Sequence, residues 1–272
     1  MKTYVFKRQT LKNLAESERK SINWVRKQLM LLPPSCLVIK PMQVVIITDT
    51  TYFGRQFGYL VVMISGSTQV IYFKRILSET AELYLQAKLA VLRLGFEIAA
   101  VVIDGRTGVK QVFSEYPVQI CHFHQKQTIK KYLTSRPKLE MSKELWAVVH
   151  VLGIVSKDFF TVLLSTWYEY WEKVLKERTY QVDGKKWNYT HKRVRSAYYS
   201  LVKNLPNLYT YAENPGLCIP TTTNELDGRF SYLKELVRIH RGAKRELKYK
   251  NEEPRSKLTG YLAVNLFHTQ RM

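Results

Sequence analysis

Four carboxylates stand where their positions could matter chemically. Asp49 closes the apolar run "VVIITD", Asp104 closes "AAVVID", and Glu225 and Asp227 sit two residues apart in "PTTTNELDGRF". An acid that follows a buried apolar strand is carried to the carboxyl edge of a sheet, where open α/β sheets place their sites. Two such carboxylates can hold a divalent cation between them, and Mg2+ completes its oxygen shell with phosphate oxygens. Two ions about 3.5–4 Å apart would clamp the attacking and leaving oxygens of a phosphodiester displacement. Either aspartate alone reads most simply as a turn acid at a strand exit. The pair, with a third acid on a late helix and a basic chain around them, points to metal-assisted phosphoryl transfer.

These acids need a scaffold, and the chain's texture supplies one. "MQVVIITDT", "FGYLVVMIS" and "QVIYFKRI" are β-branched or aromatic runs that predict three consecutive strands. "ETAELYLQAKLAVLRLG" predicts an amphipathic helix closed by Gly95. "FEIAAVVIDG" is apolar almost throughout and predicts a buried strand; a short helix over 107–113 leads to a last strand, "PVQICH". The order β-β-β-α-β-α-β gives a meander followed by right-handed crossovers onto a mixed sheet. Residues 122–215 lose the strand texture and read as largely helical, and one more helix starts near Thr221. Within that α region Trp167, Tyr168, Tyr170 and Trp171 read mainly as core, although such aromatics can stack on an unpaired DNA end.

Upstream, residues 8–32 carry two short helical patterns, Leu11, Leu14 and Ala15, then Ile22, Val25 and Leu29, with "ESERKS" as the turn. They read as a helix-turn-helix whose second helix, with Lys20, Arg26 and Lys27, would enter a major groove. An ordinary helical hairpin fits the pattern equally well. "LPPS" at 32–35 breaks the helix and serves as a linker.

The 272 residues are 46% hydrophobic, enough for one large domain or two smaller ones. Lys+Arg number 43 against 22 Asp+Glu, a net charge of +21, which implies a polyanionic partner with nucleic acid the default. The charge is spread along the chain, unlike the concentrated basic face of a membrane-surface helix. Three widely spaced cysteines make no disulfide framework, so a reducing cytoplasm is expected. The N-terminus has no apolar signal region, and the longest apolar stretches are too short to span a bilayer.

Four motifs, "ITDTTYFGRQFG", "VIDGRTG", "QICHFHQ" and "PTTTNELDGRF…LKELVRIHRG", follow one another between about Gln43 and about Gly242. In type, order and spacing they resemble the DDE transposases of bacterial insertion sequences, in the Mutator-like (MULE) superfamily. The resemblance implies a ribonuclease H-like α/β fold with an α-helical insertion before the last catalytic acid. The expected division is residues 1–35 for the helix-turn-helix and linker and 36–125 for the first part of the catalytic domain. Residues 126–216 would form the insertion, and 217–272 the last catalytic helix and tail. The resemblance also implies two Mg2+ ions, with Mn2+ as a substitute, and cleavage and strand transfer at the element's ends. Partners would be double-stranded DNA, both element ends and target, and further copies of the chain in a homo-oligomer on the nucleoid. Asp49 and Asp104 match the first two acids, and Cys121 and His124 match a Cys-x-x-His signature. Zinc is not expected at that signature, because it needs four ligands and no second pair is spaced to supply them. Cys121 reads as buried and His122 as structural. His124, near Lys126 and Lys130, is placed to contact DNA phosphate or to orient the site.

Between Glu225 and Asp227 the helix itself decides, since residues two apart lie roughly 200° around it. Leu226, Phe230, Leu233 and Val237 form a buried stripe, with Lys234, Arg238 and Arg241 on the Asp227 side. Glu225 has a structural explanation, a capping box with Thr222 and an i,i+4 pair with Arg229. The family pattern agrees: Thr222-Thr223-Asn224, then Asp227 and Gly228, then Lys234. Asp227 is the expected third ligand, with Glu225 the runner-up. The family usually has Glu where this chain has Asp227. Either the helix sits closer, which Gly228 would permit, or this copy is impaired. Two other functions compete: a structure-selective nuclease on the same fold, and a DNA-binding derivative without catalysis.

Overall fold

The computed structural model describes residues 9–31, 40–54, 57–67, 69–180 and 186–239. Arg241, the tail and the 32–35 break lie outside the described residues, and so does the side chain of Arg26. Helix α1 (Leu11–Ser17) begins where the Thr10 hydroxyl accepts the Asn13 N–H, and α2 (Ile22–Leu31) follows a four-residue turn. The turn has no glycine; Arg19 itself takes the left-handed conformation, at φ +50.

Strands β1 (Gln43–Phe53), β2 (Phe57–Ile64) and β3 (Val70–Ile76) form an antiparallel meander. Helix α3 (Ala81–Arg93), capped by Thr80, crosses to β4 (Glu97–Ile103), which pairs parallel to β1. Helix α4 (Thr107–Val112) then leads to β5 (Val118–Ile120), parallel to β4. The result is an α/β fold with a mixed five-stranded sheet of order β3-β2-β1-β4-β5.

Side chains alternate across a strand, and that alternation sorts the core. Ile47, Val61, Met63, Ala100 and Val102 face one way, against Leu14, Ala15 and Val25 of the first two helices and Leu226 and Phe230 of the last. Ile46, Leu60, Val62, Val101 and Ile103 face the other, against Tyr84, Ala87 and Val91 of α3. The N-terminal helix pair therefore shares the buried core of the sheet.

The region after β5 builds its own core. It comprises α5 (His122–Leu133), α6 (Glu140–His150), α7 (Lys157–Leu175), α8 (Lys192–Leu208) and the short α9 (Thr210–Glu213). Trp167 is buried there and donates Nε1–H to the Met141 carbonyl at 3.0 Å, whereas Tyr170 is exposed. An antiparallel pair, β6 (Arg178–Tyr180) and β7 (Trp187–Tyr189), interrupts the largely helical texture. Strands of three residues carry too little alternation to be read from sequence. The region also seals the sheet's edge, as an exposed strand requires. Buried Gln119 on β5 donates to the Leu208 carbonyl and accepts from the Tyr211 N–H, each at 3.0 Å. A 3-10 turn, Pro215–Leu217, returns the chain to α10 (Asn224–Ile239), which lies against β1. Among the described residues no helix is long and apolar enough to cross a membrane.

Candidate active site

Asp49 sits on the α10 face of β1 and is 6% exposed. Contrary to the sequence reading, it does not end its strand. Parallel pairing with β4 stops at Ile47↔Val102, but β1 runs on to Phe53 in the hairpin with β2, pairing Asp49 with Val61. The "TTYF" residues are β-branched or aromatic and extend the strand. Asp104 does follow the last residue of β4, and its Oδ1 accepts the Arg106 N–H at 3.0 Å. The turn between them needs Gly105, at φ +89, where a Cβ would lie 2.9 Å from the Ile120 side chain.

Asp227 lies in the first turn of α10, and its Oδ2 accepts the Thr223 hydroxyl at 3.2 Å. Glu225 turns elsewhere. Its exposed carboxylate accepts the Gly66 N–H at 3.2 Å, on the β2–β3 turn. The expected capping box with Thr222 is not formed. The Thr223 carbonyl accepts the first helical bonds, from Leu226 at 2.9 Å and Asp227 at 3.1 Å, so the cap falls one residue later. Gly228 also differs from expectation. A Cβ there would meet nothing within 4 Å, because the residue faces outward, so it is not needed for close approach of the helix.

Cys121 and His124 join these pieces. The Cys121 sulfur receives the Thr223 N–H at 3.3 Å and lies 3.5 Å from the Thr223 hydroxyl. Thr223 thus links the end of β5 to Asp227. Three residues on, one helical turn along α5, His124 Nε2 comes within 3.8 Å of Asp49 Oδ2. The Cys-x-x-His spacing follows from this: the cysteine pins the helix bearing the third acid, and the histidine reaches the first.

The electrostatics tie the acids together. Burial pushes the Asp49 carboxyl up to about 7, opposed by His124 and the Thr50 N–H, with the charges of Asp227 and then Asp104 raising it further. Contact with the Cys121 sulfur, opposed by burial and supported by the Asp49 and Asp227 carboxylates, pushes His124 up to about 9. Its Nδ1 is buried and meets no partner at full hydrogen-bonding geometry among the described residues. Burial raises the Cys121 thiol, but the nearby His124 and the hydrogen bonds with Thr223 together outweigh burial and lower it overall. His122 is structural: its Nε2 meets the Leu208 carbonyl at 2.6 Å, and burial lowers its pKa.

Sequence reasoning missed Glu79 and Arg106. On the opposite face of β1, the Thr50 hydroxyl donates to Glu79 Oε2 at 3.1 Å. The Tyr84 hydroxyl donates to Oε1 at 2.6 Å, and Arg106 Nη2 pairs with Oε2 at 3.0 Å. Glu79 is a buried carboxylate in a loop before α3 with no apolar periodicity around it, and only "VIDGRTG" placed Arg106 near an acid. The pair holds a half-exposed guanidinium beside the Asp104 turn.

Of the residues expected to bind DNA, Lys20, Lys27, Lys130, Lys234 and Arg238 are exposed. Lys126 is half-buried and donates to the His150 carbonyl at 3.4 Å, and burial lowers its pKa. Among the described residues, no three His, Cys, Asp or Glu side chains converge as a ready-made metal cage. No protein-family model matches this chain, and no curated protein matches it.

Proposed function

We propose that the chain is an insertion-sequence transposase of the DDE class, which binds the ends of a mobile element and catalyses Mg2+-dependent strand cleavage and strand transfer. One observation carries the reading. Asp49 on β1 feels the charges of Asp104, which directly follows the adjacent parallel strand β4, and of Asp227 on the distant α10, within a chain of net charge +21. The sheet order is compatible with a ribonuclease H-like fold, in which the helical region between β5 and α10 would be the insertion.

The donor set suits Mg2+. It is made of hard carboxylate oxygens, and Mg2+ is bound through one or two carboxylates plus waters and substrate phosphates, not by an all-protein cage. Asp49 and Asp104 would hold it, with Asp227 completing the set. When bound, the ion would polarise the phosphoryl oxygens and lower the pKa of water. The chain's own groups do the rest. The His124 imidazolium offsets part of the carboxylate crowding at Asp49. Thr223 fixes the Asp227 carboxylate. Arg106, Lys234 and Arg238 present cations to the phosphodiester, and the turn before α2 and α2 itself offer Lys20 and Lys27 to the DNA. Cleavage is attack of a water oxygen on phosphorus with departure of the 3′ oxygen. Strand transfer is attack of that 3′ hydroxyl on a target phosphodiester, with its own 3′ oxygen leaving. A homo-oligomer would bring two element ends together.

Asp49→Ala and Asp104→Ala should abolish Mg2+-dependent nicking of element-end DNA while retaining a gel shift, since the acids supply metal charge and little phosphate grip. Undiminished nicking by either variant would overturn the assignment. Nicking without strand-transfer products would instead identify a nuclease.

A further inference from the structure

A cleft of about 520 Å³ opens beside the candidate site, between the Asp104–Thr107 turn and the faces of α5 and α8. Its volume falls within the roughly 300–1,000 Å³ range of small-molecule sites, and its lining is polar. Gln125 lies at its floor, 2% exposed. Gln125 Nε2 donates to Ser200 Oγ at 3.3 Å and Oε1 accepts from Asn204 Nδ2 at 2.8 Å, so two helices hold one amide cluster in register. Tyr132 and Tyr199 supply rings on the two helices. Tyr199 is 45% exposed, with the Arg195 guanidinium 5.3 Å from its centroid and Tyr198 meeting it edge-on. At the rim Lys203 Nζ donates to the Thr107 hydroxyl at 3.1 Å, not to a carboxylate, and Arg106 is held by Glu79.

We propose that this cleft binds a single unpaired nucleotide of the DNA strand. That the nucleotide belongs to a strand, and not to the free pool, rests on the transposase reading; its chemistry rests on the cleft alone. An exposed tyrosine ring gives a base a stacking surface, indifferent to sequence. The Asn204 amide, held in place by buried Gln125, offers its oxygen and its remaining N–H to a base edge. Lys203, which has no carboxylate partner here, offers a cation to a phosphate, and Arg106 adds the half-exposed edge of a guanidinium that Glu79 holds in place. A base stacked inside a duplex cannot reach such a ring, so the occupant must be unpaired or extruded. The cleft adjoins Asp104, which places the nucleotide next to a phosphodiester bound at the three acids. Trp167, Tyr168, Tyr170 and Trp171, read from sequence mainly as core, do not line the cleft; Tyr132 and Tyr199 do.

The test uses the full chain without divalent metal and two DNAs of one sequence. One is blunt and the other ends in a two-nucleotide overhang carrying 2-aminopurine. The overhang should bind roughly tenfold more tightly than the blunt end and its fluorescence should be quenched, on the scale of one base stack. Tyr199→Ala and Ser200→Trp, which remove the ring and fill the cleft, should bring the overhang-to-blunt ratio close to one and abolish the quench. A ratio that survives both variants overturns the proposal. Deoxythymidine monophosphate competing as well as the overhang overturns the strand assignment. A preference that depends on Tyr199 in a protein that never nicks DNA upholds the cleft and removes the transposase reading instead.

Discussion

Tyr84→Phe and Arg106→Ala each take one partner from Glu79, and the two losses should differ sharply. The Tyr84 hydroxyl is 2.6 Å from a carboxylate whose side chain is 6% exposed, and Tyr84 itself is 1% exposed. Burial, and after it the Glu79 charge, push the phenol up, so it stays a neutral donor at any physiological pH. A bond of this kind to a charged group is worth about 1.5–3 kcal/mol. Thr50 and Arg106 still satisfy the carboxylate in Tyr84→Phe, so the loss belongs in the lower half, about 2 kcal/mol. For a described region of this size that is roughly 4–8 °C in Tm. Arg106 is 51% exposed in its side chain, so its ion pair is screened and worth about 0–1 kcal/mol. Arg106→Ala should therefore lower Tm by under about 4 °C, yet weaken DNA binding by removing a phosphate contact. Tyr84→Phe should lower Tm and leave DNA affinity intact. Thermal unfolding and a gel shift on both variants decide it. Equal Tm losses, or a stable Tyr84→Phe, would refute the division into a buried strut and a functional cation.

Two further outcomes follow from distances near the site and behind it. Glu225→Gln should nick DNA within about twofold of the parent, because a neutral amide oxygen still accepts the Gly66 N–H. Asp227→Asn should lose about 10²–10³-fold, the scale of one preorganised electrostatic group; the reverse ordering would show Glu225 to be the third acid. Gly153→Ala combines a φ of +82 with a Cβ 2.7 Å from His122 Nδ1, so it should cost roughly 2–5 kcal/mol in unfolding measurements. Gly66→Ala, at φ +68 in open space, is the control and should cost about 1–2 kcal/mol.

The sheet was legible because its strands are long apolar runs with turn residues between them. "FGYLVVMI" is buried at every position, and no helical period fits it. The end of β1 was not legible. An apolar run that stops at Asp49 looks finished, and only the pairing of Thr50–Phe53 with β2 extends it. Helix geometry rightly separated the directions of Glu225 and Asp227, but it misplaced the cap by one residue, since three threonines in a row offer the same chemistry at each position. Contacts between distant segments were invisible. Glu79 meets Tyr84 and Arg106, and Cys121 meets Thr223, through folding that no local spacing encodes.

The helical region between β5 and α10 also sets a clock. About 120 residues separate Asp104 from Asp227. At roughly 5–20 residues per second, a ribosome takes roughly 6–25 s to pass from one to the other. During that interval the strands bearing the first two acids exist, and the helix that pins against Cys121 does not. Chains released early would carry a basic surface and an unfinished carboxylate set. On the transposase reading proposed above, they would occupy DNA without cutting it and compete there with complete copies made from the same message.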